Sequence, residues 1–297
     1  MMELARDTTI ADLEPPPVPA FALGELVADT YVVRGVLGIG GMGQVYAADD
    51  RELQRPVALK TTLDGGAMLR REAQALAQVH HPNVVAVHRV GMHRGVPFMV
   101  MERLYGATLA DHMRDREVEL DEALAILCGI ADGLTALHAA GIAHLDLKPG
   151  NVILCASGRV ALVDLGIMVP EVMAGDRDPC GTPLYMAPEL IDRALAPGRA
   201  CRADFYSFGA MAFELLAGRP PFMGADVASV LACHLVDPAP DLCELRGDAP
   251  PRLGTLVRTC LAKDAMDRPA GAEEIAWELR AIRARVARDT GRIHLRR

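Results

Sequence analysis

The chain has 297 residues, 51% hydrophobic and 24% charged, and its 39 acidic and 31 basic side chains give a formal net charge of −8. That length allows one large domain or two lobes, with a core that needs neither disulfide nor structural metal, and the acidic balance argues against a global nucleic-acid footprint. The seven cysteines (Cys128, Cys155, Cys180, Cys201, Cys233, Cys243 and Cys260) are odd in number and form no C-x-x-C, which argues against a zinc site or a secreted disulfide framework.

The N-terminal residues are acidic, lack the apolar run of a signal peptide and include Pro15-Pro16-Pro17-Val18-Pro19. Residues 1–28 are therefore expected to form an extended, dispensable arm, so that a chain starting near Gly24 keeps its melting temperature. From Tyr31, short apolar runs at Tyr31–Leu37, Gln44–Asp49, Pro56–Lys60, Val84–Arg89 and Pro97–Glu102 predict strands of a mainly antiparallel sheet. One helix interrupts them, because Leu69, Ala73, Leu76 and Val79 recur at helical spacing between Met68 and His80. After Gly106 the pattern turns helical, most clearly over Asp121–Ala140. The predicted class is α+β and bilobal: an arm over 1–28, a β-rich lobe over 29–104, a helical lobe over 105–284 and a basic tail over 285–297. Ligand sites are common between lobes of this kind. No apolar run reaches the roughly 18 residues of a membrane span, and unpaired thiols suit a reducing, cytoplasmic compartment.

Three motifs carry chemistry. Gly38-Ile39-Gly40-Gly41-Met42-Gly43 is a G-x-G-x-x-G. A dinucleotide fold needs a helix straight after the third glycine, and here the strand-like Val45-Tyr46-Ala47-Ala48 follows. What is left is a hairpin, either a plain one or one whose bare backbone covers a triphosphate. Next, Val57-Ala58-Leu59-Lys60 ends a strand in one of only three lysines (Lys60, Lys148 and Lys263) of an Arg-rich chain. Glu72 falls on the inward face of the helix with Leu69 and Leu76. An inward carboxylate is costly unless a cation meets it, and Lys60 is the candidate; otherwise Glu72 splays to solvent beside Arg70 and Arg71. Third, His144-Leu145-Asp146-Leu147-Lys148-Pro149-Gly150-Asn151 is followed by Asp164-Leu165-Gly166. A carboxylate, a cation and an amide so close together can meet a hydroxyl, a phosphate and a metal, and Asp164, at a glycine turn after a strand, suits an oxygen ligand for Mg²⁺.

In this order and spacing the pieces resemble the eukaryotic-like protein kinases, in particular the bacterial Ser/Thr branch, from about Thr30 to Ile282. The resemblance implies transfer of the γ-phosphoryl group of ATP to Ser or Thr hydroxyls of protein substrates. By resemblance, Gly38, Gly40 and Gly43 cover the phosphates and Val45 and Ala58 flank the adenine, with Leu37 and Leu154 also in the ATP-binding set. Lys60 would hold the α and β phosphates, oriented by Glu72. Met101 would guard the back of the pocket, and Glu102 and Leu104 belong to the hinge. Asp146 would be the base and Lys148 would neutralise the γ-phosphate, while Asn151 and Asp164 would hold Mg²⁺, or Mn²⁺ in its place. Thr182, Glu189, Asp204 and Arg268 resemble substrate-positioning and architectural residues, with Arg268 pairing Glu189 and Asp204 bracing the catalytic loop. Lys148-Pro149 and Gly181-Thr182 have the Ser/Thr rather than the Tyr form. A pseudokinase-type nucleotide-binding scaffold is the rival, opposed by the complete set Lys60, Glu72, Asp146, Asn151 and Asp164. An aminoglycoside-type phosphotransferase is disfavoured by Gly181-Thr182 and Ala187-Pro188-Glu189.

Three departures stand out: Leu145 replaces the usual Arg, Leu165 the usual Phe, and Gly150 stands where Glu or Ala is commoner. In the family, the Arg before the catalytic Asp helps hold a phosphorylated loop residue by bidentate pairing, which Leu145 cannot do. From Ile167 to Met186 only Thr182 and Tyr185 carry a hydroxyl, and Thr182 occupies the position that contacts Asp146 and Lys148. The expectation is a kinase that needs no activation-loop phosphorylation; compositional drift, in a chain with three serines, is the alternative. Residues 279–297 carry seven arginines against the single acid Asp289, which suits a solvated helix face or tail, or a contact with an anionic partner.

Overall fold

The computed structural model describes residues 19–40, 43–62, 66–165, 182–195 and 199–294. It divides into two compact units, Met1–Ala77 with Ala86–Leu104, and Gln78–Val85 with Tyr105–Arg297.

The first unit is a six-stranded antiparallel sheet in the order β1-β2-β3-β4-β6-β5. Its strands are β1 (Leu26–Val27), β2 (Tyr31–Gly40), β3 (Gly43–Asp50), β4 (Arg55–Thr61), β5 (Val87–His93) and β6 (Val96–Glu102). Along β3 burial alternates, with Gln44, Tyr46, Ala48 and Asp50 inside, as the two-residue period of a strand requires. Val45 and Ala47 therefore share the other face. The inner face packs Tyr46 with Tyr31, Val57, Leu59, Phe98 and Val100.

Phe21 joins that core at 2% exposure, which corrects the arm expected over 1–28. The Phe21 ring packs against those of Tyr46, His93 and Phe98, and Ala20 donates its N–H to Gln44 Oε1 at 2.7 Å. A lone aromatic and a two-residue strand have no periodicity to betray them, so the sequence hid this docking. Residues 1–18 lie outside the described residues. Phe21→Ala, or a chain starting at Gly24, is therefore expected to lose about 3 kcal/mol and roughly 5–10 °C of melting temperature. An unchanged calorimetric transition would show that Phe21 is not part of the core.

Helix α1 (Ala67–Leu76) buries Leu69, Glu72, Ala73 and Leu76 and stops short of the expected His80. The reason is that Gln78–Val85 leave the lobe expected over 29–104 and join the second unit. There the Val85 N–H donates to Leu162 O at 3.0 Å and Asn83 Nδ2 to Val160 O at 2.6 Å. The strand expected at Val84–Arg89 accordingly begins at Val87.

The second unit carries a three-stranded sheet, β7 (Gly106–Thr108), β8 (Val152–Cys155) and β9 (Val160–Leu162); β7 was not predicted. Its helices are α2 (Leu109–Asp115), α3 (Leu120–Ala139), α4 (Pro188–Ile191), α5 (Ala200–Ala217), α6 (Val227–Val236), α7 (Leu242–Leu245), α8 (Pro251–Cys260) and α9 (Ala272–His294). From Ala203 to Leu216 every residue of α5 except Glu214 is buried, the mark of a central helix. Gly129 and Gly133 let α3 lie close against the small sheet: a Cβ at Gly133 would come within 2.7 Å of Asn83 O, and one at Gly129 within 2.8 Å of Val160. Helix α9 packs Ile275, Leu279 and Ile282 inward and continues to His294, so the tail expected from residue 285 is helical that far. Among the described residues, no helix is long and apolar enough to cross a membrane.

Candidate active site

In the first unit the glycine run forms the tip of the β2–β3 hairpin, with Gly38 opposite Val45 and Gly40 opposite Gly43. Gly43 has φ 145°, and a Cβ there would fall 1.9 Å from Thr61 O, so the fold itself requires glycine. A Cβ on Gly38 or Gly40 would meet no described atom within 4 Å; among the described residues no neighbour demands glycine at those two positions. Leu37 is 38% exposed on the same strand.

Strand β4 places Ala58 opposite Ala47 and Lys60 opposite Val45. Lys60 Nζ donates to both carboxylate oxygens of Glu72 at 2.7 Å, and both side chains are buried. Glu72 thus turns inward, and the solvent-splayed alternative is set aside. Met101 is buried at the end of β6. Glu102 pairs with Ala86 through both its backbone N–H and its Oε1, which fixes the strand just before Leu104.

In the second unit, Asp146, Lys148, Asn151 and Thr182 form one network. Lys148 Nζ lies 2.9 Å from Asp146 Oδ2 and donates to Thr182 Oγ1 at 2.8 Å; Thr182 Oγ1 donates to Asp146 Oδ1 at 3.4 Å. Asn151 Nδ2 donates to Asp146 O at 2.8 Å, to Asp146 Oδ2 at 3.0 Å and to Asp164 O at 3.4 Å. The Asn151 amide therefore ties both acidic positions together, and Leu154 follows it on β8. Leu145 (φ 63°) and Asp164 (φ 55°) are both left-handed, a conformation that costs non-glycine residues and persists only where the surroundings enforce it. Leu145 and Leu165 are buried, so each departure from the usual residue is absorbed by packing. At Gly150 a Cβ would meet no described atom within 4 Å.

Asp204 explains the enforcement at Leu145. Wholly buried on α5, it accepts the N–H of His144 and that of Leu145, each at 2.7 Å. Its third partner, His138 Nε2 at 2.7 Å, was missed in the sequence, although a histidine in the last turn of an apolar helix just before the catalytic loop was a usable sign. Burial alone would push this imidazole down, but Asp204, with Cys201 beside it, raises its pKa to about 9. A histidine raised above its unfolded value adds stability that is complete below about pH 6.5 and is lost as pH rises through about 9, on the order of 3 kcal/mol. Lys263, pulled down to about 8 by burial, acts in the opposite sense, so the comparison must be with His138→Gln. Urea melts at pH 6.5 and 9.5 should show that the variant lacks this fall; an identical fall in both proteins would refute the ion pair.

Arg268 and Glu189 meet as a bidentate pair at 2.6 and 2.8 Å, with Arg268 also donating to Ala262 O and Arg202 O. Gly181 and the loop from Ile167 lie outside the described residues.

A glycine hairpin beside a buried lysine–carboxylate pair, and a second unit with an Asp-Lys-Asn loop braced from a central helix, define the protein-kinase class of phosphotransferase folds. The protein kinase domain family matches residues 31–278, and the chain belongs to that family. Its relatives are bacterial Ser/Thr kinases. PknD of Mycobacterium tuberculosis is 34% identical over 83% of this chain and 38% of its own length. RqkA of Deinococcus radiodurans, a DNA damage-responsive serine/threonine-protein kinase, is 34% identical over 86% of this chain and 40% of its own. The kinase-domain crystal structure of Mycobacterium tuberculosis PknI superposes with a TM-score of 0.69 at 29% identity, covering 89% of this chain and 99% of that one. The chain spans less than half the length of PknD and RqkA.

Proposed function

We propose that this chain is a Ser/Thr protein kinase that transfers the γ-phosphoryl group of ATP to protein hydroxyls. The observation that carries this reading is the network of Asp146, Lys148, Asn151 and Thr182, complete within the second unit. In the first unit Lys60, held by Glu72, would bind the α and β phosphates. Gly38 and Gly40, which no described neighbour requires, would let the hairpin backbone approach those phosphates, with Leu37, Val45, Ala58, Met101, Glu102 and Leu104 of the first unit proposed for the adenine and, in the second unit, Leu154 also in the proposed ATP-binding set. Asp146 would orient the acceptor hydroxyl and take its proton, and Lys148 would stabilise charge on the transferring group. Asn151 and Asp164 present hard oxygen donors, which fit Mg²⁺, an ion that keeps waters and phosphate oxygens as its other ligands. When bound, the ion would neutralise phosphate charge. Thr182 would position the substrate, while Asp204 and the Glu189–Arg268 pair hold the loops. Cys128, Cys201, Cys233, Cys243 and Cys260 are free thiols, in keeping with a reducing, cytoplasmic compartment. The test is purified protein with Mg-ATP and a Ser/Thr-rich acceptor protein, followed by phosphosite mapping; phosphate on Ser or Thr is expected, and ATP binding without transfer would favour a scaffold.

The same reading includes independence from loop phosphorylation. Leu145 is buried and carries no guanidinium that could receive a phosphate, and Thr182 engages Lys148 and Asp146 through its bare hydroxyl. Enzyme stripped by a broad phosphatase, with a bare loop confirmed by mass spectrometry, should keep its initial rate. A large fall in rate that recovers with time in ATP would overturn this.

A further inference from the structure

An open groove of about 840 Å³ runs between α3, α9 and the β8–β9 turn of the second unit. It shares no residue with the network around Asp146. Its rim carries Arg159, Arg280 and Arg283 against Asp121 and Asp132, over a floor formed in part by Cys128. Burial raises the Cys128 thiol, the Arg280 and Arg283 guanidiniums pull it back and Asp132 and Asp121 push it up again, so charges of both signs act on the groove floor. Arg283 pairs with Asp121 at 3.0 Å and Arg280 with Asp132. Arg280 is 56% and Arg283 43% exposed, and exposed pairs of this kind are weak and exchangeable.

The arginines are in excess. Three arginines of the lining, Arg159, Arg280 and Arg283, face two acids, Asp121 and Asp132, and beyond the lining α9 adds Arg285 and Arg288 between Glu278 and Asp289. Trp277, 65% exposed, precedes Arg280, Ala284 and Ala287 at helical spacing and extends their stripe beyond the groove. Exposed Trp and Arg side chains beside a concave surface are the residue types that dominate protein–protein binding energies.

We infer that this groove docks an acidic segment of a protein partner, the segment's carboxylates exchanging with Asp121 and Asp132 for the α9 arginines. Positive charge in excess at a concave surface selects an anionic ligand, and a neighbouring exposed indole selects one with side-chain area to pack. Use of the groove to hold a kinase substrate away from its acceptor hydroxyl rests on the function proposed above; the docking itself does not.

Trp277 is the chain's one tryptophan, so its emission reports from the edge of the groove. The whole chain, without ATP, is titrated with a short Trp-free peptide of Glu, Leu and Ala. A saturable change in emission is expected, weakened by added salt and absent with the Lys, Leu and Ala counterpart. Arg283→Gln should bind roughly tenfold more weakly, the loss of one charge-assisted bond. Asp121→Asn and Asp132→Asn, which release guanidiniums, should bind more tightly; because they lose no ligand contact, they keep the test decisive if Arg283→Gln folds poorly. No emission change, equal binding by all variants, or a response to an RNA oligonucleotide or phosphatidylserine vesicles in place of the acidic peptide would overturn the assignment. Because no phosphoryl transfer is measured, failure here leaves the proposed activity untouched, and the converse also holds.

Discussion

Asp146→Asn is expected to lower turnover by about 10²–10⁴-fold, the usual contribution of a positioned general base, while ATP affinity changes little. The substitution keeps the size of the side chain and one oxygen to accept from Asn151 or Thr182, so the network around Lys148 can persist. What it removes is the group proposed to take the hydroxyl proton. Asp164→Asn should abolish transfer, because the charged oxygen proposed as a ligand for the divalent ion is lost while the backbone contact of Asp164 O to Asn151 is retained. Steady-state kinetics together with nucleotide titration checks both. Wild-type turnover in Asp146→Asn would remove Asp146 from the chemistry.

The largest structural effect is expected at Asp204. Asp204→Ala would leave the N–H groups of His144 and Leu145 without their acceptor and the His138 imidazolium without its counter-ion. Breaking a buried pair from one side costs roughly 3–5 kcal/mol. The left-handed conformation of Leu145 would lose its restraint at the same time, so activity should fall in protein that is still folded. Urea denaturation and rate measurements on the same samples separate the two effects. A stability loss below about 1 kcal/mol, with unchanged turnover, would show that the loop is braced elsewhere.

Much of this was legible in the residues. Short apolar runs bounded by Gly, Asp and Pro at Gln44–Asp49 and Pro97–Glu102 specified strands. The inward position of Glu72 demanded a cation, and Lys60, one of only three lysines, supplies it. The order of Gly38-x-Gly40, Lys60, Asp146, Asn151 and Asp164 placed the chain in its family before any distance was known.

Other features needed the tertiary structure. Phe21 and Val27 lie in a proline-marked, weakly periodic start, and only packing into one cluster with Tyr46 and Phe98 makes them core. Gln78–His80 continue the helical pattern of α1 and Val84 opens an apolar run, yet pairing of Val85 and Asn83 with β9 assigns Gln78–Val85 to the second unit. His138 looked like one more scattered histidine until α5 brought Asp204 against it, and the α9 arginines could not be told from a solvated tail until α3 supplied the other wall of a groove. The division has a physical cause. Periodicity and local cost are properties of neighbours along the chain, which the sequence records directly. A buried charge, a docked strand end or a groove depends on residues far apart in sequence, and only the packed fold decides which of them meet.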